Sequence, residues 1–376
     1  MYLTRDEEKL LEDGSGISKC MEILVALGEI YGAERLIPIK SAHISGISYQ
    51  NIGDEGLEWL RCLDVKFCVK TTLNPSGIDL ERWREMGIDE NFARKQLDVI
   101  DVFRRMGADI TLTCTPYYIY KPGLGDHIAW AESSAVVYAN SVLGARTNRE
   151  SSISALASAV IGKTPFYGLH LKENRCPDVL VRVECEFDPA VLGYKIGSEI
   201  DGIPIFEFRR RLSHDDMKML GAALASTGDV AIFHIIGQTP EWKDFEIPKE
   251  RIVIDRAELE TDDCDPDLIA LGCPHLSRDE LIRIYGFVKR YGKRVKKDVW
   301  IFLSRKIYNE CSEVVEELEK MGIRVFKDTC MVVSPATERF ECIAVNSTKA
   351  LVYLTKLKGL KVVFDDLEGC LKRAFI

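Results

Sequence analysis

The chain has 376 residues, 46% of them hydrophobic and 29% charged, and its net charge is −9. That length supplies apolar material for two or three domains, and the acidic balance argues against a nucleic-acid backbone as the main partner. The opening MYLTRDEEKLLEDGSG has no basic region leading into an apolar run, and no later stretch is long and apolar enough to cross a bilayer. Neither a signal peptide nor a membrane span is expected, and the predicted location is cytoplasmic.

In chain order, residues 4–14 predict a helix capped by Thr4 with acidic residues in its first turn. SKCMEILVALGEIYG predicts a second helix ending at a glycine, and LIPIKSAHISG a strand running into a polar loop. VKFCVKTT repeats that pattern, with LNPSG as the loop. The span from Asp89 to Met106 reads as helix, followed by a strand, ADITLTC, that opens into TPYYIYKPGLGDH. AESSAVVYANSVLGA reads as a buried helix with Glu132 and Ser133 at its start.

A second α/β region begins near residue 164, with DVAIFHIIGQTPEW and IVIDRAELE as strand and loop. DPDLIALGCPHLSRDELIRIYGFVKRYGKR reads as strand, turn and helix, and VWIFLSRKIYNECSEVVEELEKMGIRVFKDTCMVVSP as strand, helix, strand and loop. Strands alternating with helices predict an α/β fold with mainly parallel sheets. We divide it into an N-terminal lobe, 1–163, and one or more C-terminal lobes, 164–376. In such folds ligands bind at the carboxyl ends of strands.

Twelve cysteines occur without a single CxxC pair, so zinc-ribbon and thioredoxin-like readings lack their signature. A reducing compartment makes a disulfide framework unexpected. Cys62, Cys68, Cys185 and Cys342 read as core, and Cys20, Cys264, Cys311 and Cys370 as peripheral. Three others stand out by position. Cys114, Cys273 and Cys330 each end a predicted strand, and they lie 159 and 57 residues apart. Such gaps exclude the local ferredoxin motifs and suit a group held where lobes meet. Three thiolates on a four-iron cluster would leave one iron open as a Lewis acid. Position alone does not separate such a ligand from a buried strand-end cysteine.

Several loops carry further candidates. SAHISGISYQNIGDEG surrounds Gly46 with Ser45, Ile47 and Ser48, a loop whose amides and hydroxyls can cradle an anion. Asn74 stands beside Pro75 in a stiff loop. Glu132 sits in an apolar helical segment, so its carboxylate requires a partner or a function. Lys349 falls in a helix's first turn, unfavourable for a cation unless it meets an anion. An ordinary glycine turn, a helix cap and a solvated lysine are the plainer readings of these features.

Taken together, SAHISGISYQNIGDEGLEWL, KTTLNPSGID, CTPYY, GDHIAWAESSAVVYANSVLGARTNRE, GCPHLS, the DTC turn and NSTKALVYL resemble the large subunit of the aconitase X family over essentially the whole chain. The resemblance implies aconitase-like α/β lobes around a central cleft, without the swivelling fourth domain. It implies an iron–sulfur hydro-lyase, with a cluster, [4Fe-4S] by analogy, on Cys114, Cys273 and Cys330. Gly46, Ile47, Ser48, Asn74, Pro75, Glu132, Ser133 and Lys349 match the family's substrate-contacting motif positions. A small subunit carrying the swivelling domain would complete a heterodimer and supply the base. Archaeal members dehydrate (R)-5-phosphomevalonate in a modified mevalonate pathway, and this is the activity the resemblance implies first. Dehydration of cis-3-hydroxy-L-proline, or a non-catalytic scaffold role, are the alternatives.

Overall fold

The computed structural model describes residues 1–12 and 14–376. Helix α1 (Arg5–Lys9) closes on a capping box between Thr4 and Glu7 and is shorter than expected; residue 13 of the predicted span lies outside the described residues. Helix α2 (Gly16–Ile30) buries Cys20, Met21 and Leu24. The strand expected next is two strands, β1 (Leu36–Pro38) and β2 (Ser41–Ile44). Helix α3 (Tyr49–Leu63) is interrupted at Gly53, where φ is 66°. After β3 (Lys70–Leu73), α4 (Glu90–Met106) starts on the Asp89 cap and stops at Gly107, whose φ of 95° costs a glycine nothing.

Residues 108–114, predicted as a strand, run beside β3 with one isolated bridge, Thr72 to Asp109. The amides of Asp109 and Thr113 still donate to the carbonyls of Thr71 and Leu73, at 2.8 and 2.9 Å. Between them Leu112 swings to φ 43° and breaks the pleat. The chain continues through β4 (Ala129–Trp130), α5 (Ser133–Tyr138), a π-helical turn at Ala139–Leu143, α6 (Ser152–Ile161) and β5 (Lys163–Pro165). Strands β3, β2 and β4 form a parallel sheet in that order, and β5 pairs antiparallel with β1.

The remainder holds two further parallel sheets. The first is built from β6 (Val179–Val183), α7 (Pro189–Glu199), β7 (Pro204–Glu207), α8 (His214–Thr227), β8 (His234–Ile235) and β9 (Arg251–Ile254), with strand order β8-β7-β6-β9. The second contains β10 (Leu268–Leu276), α9 (Arg278–Tyr291), β11 (Asp298–Leu303), α10 (Arg305–Glu310), α11 (Ser312–Lys320), β12 (Arg324–Lys327), β13 (Cys342–Val345), α12 (Thr348–Lys358), β14 (Lys361–Phe364) and α13 (Leu367–Arg373). Its order, β12-β11-β10-β13-β14, reverses direction beside β10. A doubly wound sheet leaves its ligand crevice at that switch point. Cys273 lies in the last part of β10, and Lys349 follows β13, so the two flank it.

The ladder of β10 slips between Leu271 and Leu276. Gly272 sits there at φ 105°, and a Cβ on it would lie 2.1 Å from the Phe302 carbonyl oxygen, so only glycine fits. The slip takes Cys273 out of the regular strand.

Cys342 is buried as expected, and several other cysteines depart from expectation. Cys20, Cys311 and Cys370 are buried, whereas Cys62 and Cys68 are exposed and Cys185 is half-buried. Cys264 and Cys342, 78 residues apart, are joined in a disulfide where none was expected. Pairing of β13 with β10 brings Cys342 beside the loop that leads into β10. Among the described residues no helix is long and apolar enough to cross a membrane.

Candidate active site

A cavity of about 450 Å³ opens where loops from the first and third sheets meet. Its wall includes Gly46, Asn74, Pro75, Glu132, Ser133 and Lys349, together with Cys114, Cys273 and Cys330. Ile47 and Ser48 are not part of it. Ile47 packs into the N-terminal core, and the buried Ser48 hydroxyl donates to the Val333 carbonyl at 3.2 Å. A larger cleft of about 640 Å³ lies at the amino ends of β11 and β12, lined by Arg82, Arg294, Lys296 and Arg324, and contains none of these residues.

The three thiols are 6, 6 and 8% exposed and free of disulfides. Burial pushes Cys273 up to about 12 against the pull of the Lys349 ammonium. Burial also holds Cys114 well above the ordinary thiol range, and it raises Cys330 although the amides of Val332 and Val333 partly offset it. Such thiols stay protonated until a strong cation arrives.

Beside them runs a buried polar chain. Glu132 caps α5, and its Oε1 accepts from the Ser134 hydroxyl at 3.0 Å and from the Lys349 ammonium. Lys349 also donates to the Ser134 hydroxyl at 3.0 Å. The other carboxylate oxygen accepts from the Asn74 amide nitrogen at 2.7 Å. Behind it, His43 Nε2 lies 3.2 Å from Asn74 Oδ1, and His43 Nδ1 lies 2.8 Å from the Thr72 hydroxyl. An amide oxygen only accepts, so Nε2 carries the proton and Nδ1 accepts from Thr72. Burial lowers His43 to about 4 and keeps it neutral.

Burial alone would raise the Glu132 carboxyl, but the charge and hydrogen bond of Lys349, with help from Asn74, bring it to about 2. Burial works equally against the Lys349 ammonium, and Glu132 more than restores it, so Lys349 is held above its ordinary range. The sequence required an anion for Lys349 and a partner for Glu132, and the fold, across 217 residues, gives each to the other.

Another part of the wall is formed at the α6 N-terminus. Gly46, at φ 69°, passes so close that a Cβ would lie 2.8 Å from the Ser152 hydroxyl. Ser45 and Ser152 hydroxyls meet at 3.1 Å, and Ser151 caps the helix in a box with Ser154. Arg149, Ser151, Asn51 and Tyr353 line the cavity as well, although their residue types carry no local signal of it.

Parallel sheets delivering thiols and an ion-paired carboxylate to one carboxyl-edge cavity define an α/β enzyme. The chain belongs to the aconitase X family: it matches the Aconitase X first domain over residues 1–173, the second domain over 177–262 and the third over 266–376. It is 47% identical to the phosphomevalonate dehydratase large subunit of Methanosarcina mazei, covering 100% of this chain and 97% of that protein. The cis-3-hydroxy-L-proline dehydratase of Pseudomonas aeruginosa is 34% identical, covering 96% of this chain and 68% of that protein. Among solved structures, the holo-form of Thermococcus kodakaraensis aconitase X aligns with a TM-score of 0.91 at 42% identity, covering 100% of both chains.

Proposed function

We propose that this chain is the large subunit of a hydro-lyase that dehydrates (R)-5-phosphomevalonate to trans-anhydromevalonate 5-phosphate. The observation that carries the reading is the pattern of similarity. Five phosphomevalonate dehydratase large subunits are 39 to 47% identical across 97 to 100% of this chain. The two cis-3-hydroxy-L-proline dehydratases are 33 and 34% identical, and the aligned part is about two thirds of their length.

Cys114, Cys273 and Cys330 fit an iron–sulfur cluster, [4Fe-4S] in this reading. Among the described residues no group of three or more His, Cys, Asp or Glu side chains could hold a single metal ion. The three thiols all line one cavity. They are unpaired, buried together in the wall of one cavity and in need of cationic charge to ionise, the donor set a cluster takes. When bound, the cluster supplies a Lewis-acidic iron for the departing hydroxyl.

The rest falls to the chain's own residues. Asn74 and Lys349 hold the Glu132 carboxylate still, with its charge compensated. Ser45 and the α6 N-terminus offer donors to an anionic substrate in the same cavity. A general base works best with a pKa near the working pH. Glu132, at about 2, lies far below, whereas burial raises the Glu150 carboxyl even though its oxygens accept from Ser154 and Thr164. A base supplied from outside the chain, by a small subunit in a heterodimer, is part of the same proposal and is supported by the relatives' designation as large subunits; the proposed location is cytoplasmic.

The test is a dehydration assay on the anaerobically co-expressed pair, offered each substrate in turn. Turnover of 5-phosphomevalonate, with little on cis-3-hydroxy-L-proline, is expected. The reverse preference would transfer the chain to the other activity, and a cluster-loaded pair inert toward both would leave a scaffold.

A further inference from the structure

Regular secondary structure sets the three cysteines relative to one another only in part. Cys114 follows a segment with a single bridge, Cys273 sits in a slipped ladder, and Cys330 lies beyond the end of β12. One residue nevertheless touches all three segments. His275 is fully buried, two positions after Cys273. Its backbone N–H donates to the Cys114 sulfur at 3.2 Å. Its Nε2 lies 2.8 Å from the carbonyl oxygen of Thr329, the residue before Cys330. Its Nδ1 lies 2.9 Å from the hydroxyl of Thr113, the residue before Cys114.

The directions of these bonds follow from the partners. A carbonyl oxygen only accepts, so Nε2 carries the ring proton, and Nδ1 accepts from the Thr113 hydroxyl. That hydroxyl oxygen also accepts from the Thr115 amide at 3.2 Å, which binds both flanks of Cys114 into the same unit. The unit is tied to two helices. Lys218, buried on α8, donates to the His275 carbonyl at 3.3 Å and pairs with Glu280. Glu280 in turn belongs to the capping box that starts α9.

We propose that His275 is a positioning residue that fixes the three cysteine-bearing segments to one another and so presets the spacing of the thiols for the iron–sulfur cluster. The inference rests on the reading that those thiols hold a cluster. A histidine serving only the core would be satisfied by any two polar partners. Here both ring partners are the residues immediately preceding cluster cysteines, and the backbone amide is on a cysteine sulfur. Groups that orient metal ligands in this way are worth about 10- to 100-fold in metal retention.

The test uses three variants of the full chain. His275→Leu removes both ring bonds. His275→Gln keeps a donor able to reach the Thr329 carbonyl, and Thr113→Val removes one hydroxyl at nearly constant volume. Each is reconstituted anaerobically with ferrous iron and sulfide. The rate of iron loss to a chelator is followed by visible absorbance, beside the thermal midpoint of the iron-free chain. His275→Leu and Thr113→Val should lose iron about 10- to 100-fold faster than the unaltered chain. His275→Gln should fall between the unaltered chain and His275→Leu, and Thr113→Val, which leaves His275 Nδ1 and the Thr115 amide without that hydroxyl, should lower the iron-free midpoint less than His275→Leu does. Iron loss from His275→Leu and Thr113→Val at the unaltered rate, or His275→Gln losing iron as fast as His275→Leu, overturns the proposal. If His275→Leu does not fold, Thr113→Val decides. An unaltered chain that takes up no iron and sulfide overturns the cluster reading instead.

Discussion

Replacing Lys349 by methionine removes the ammonium that faces Glu132 and keeps most of the side-chain volume. In the folded chain the Glu132 carboxyl falls from 4.5 to about 2. At about 1.4 kcal/mol for each tenfold, the gap is on the order of 3 kcal/mol. Removing one partner of a buried pair costs about 3–5 kcal/mol, because the other charge is left uncompensated. Lys349→Met should therefore lose about 3–5 kcal/mol of stability at neutral pH. The pH dependence should change sign. With Lys349 present, the depressed carboxyl contributes stability above 4.5 that is lost as pH falls toward about 2. Without it, burial lifts the carboxyl above 4.5, so stability is regained as pH falls and the deficit shrinks on acidification. A Glu132→Gln/Lys349→Met chain carries neither charge and should be more stable than Lys349→Met alone. Urea unfolding of the iron-free chain between pH 7 and 5, followed by tryptophan fluorescence, reads all three. A Lys349→Met cost under about 1 kcal/mol, the worth of an exposed pair, or a double variant no better than the single one, would refute the reasoning.

Two further outcomes follow from the same geometry. Asn74→Ala removes the amide donor to Glu132 and should cost about 1.5–3 kcal/mol, the worth of a hydrogen bond to a charged group, measured by the same unfolding series. The Cys264–Cys342 bond closes a loop across 78 residues. Reducing it should lower stability by about 2–4 kcal/mol, and a Cys264→Ser chain should show no response to reductant in parallel denaturation curves.

What the sequence could show was local. Asp89 and Gly107 bracket α4 because an N-cap and a left-handed stop act within one turn. ADITLTC alternates like a strand, but the positive φ at Leu112 and its bonds to β3 depend on a neighbour that the alternation does not encode. Cysteine burial was misread because a cysteine's surroundings follow which helix face it occupies. Cys20 shares the inward face of α2 with Leu24, while Cys62, one residue before the end of α3, is exposed. Cys264 and Cys342 meet only through strand pairing far from either in sequence. Glu132 and Lys349 were each legible as an unmet need, yet nothing local said they meet. Gly46, Ile47 and Ser48 are consecutive, and the turn sends only Gly46 to the cavity wall. His43 and His275 stood inside recognised motifs, but a histidine's role depends on partners 29 to 162 residues away.

In the proposed function three cysteines, distant in sequence, together hold one iron–sulfur cluster. The direct measurement is iron and sulfide per chain after anaerobic reconstitution of the unaltered protein and of the Cys114→Ser, Cys273→Ser, Cys330→Ser and Cys62→Ser variants. Full loading is expected of the unaltered chain and of Cys62→Ser, whose thiol is exposed and outside the cavity, and loss of stable loading of each of the other three. Undiminished loading in any of those three, or an unaltered chain that takes up neither iron nor sulfide, would contradict it.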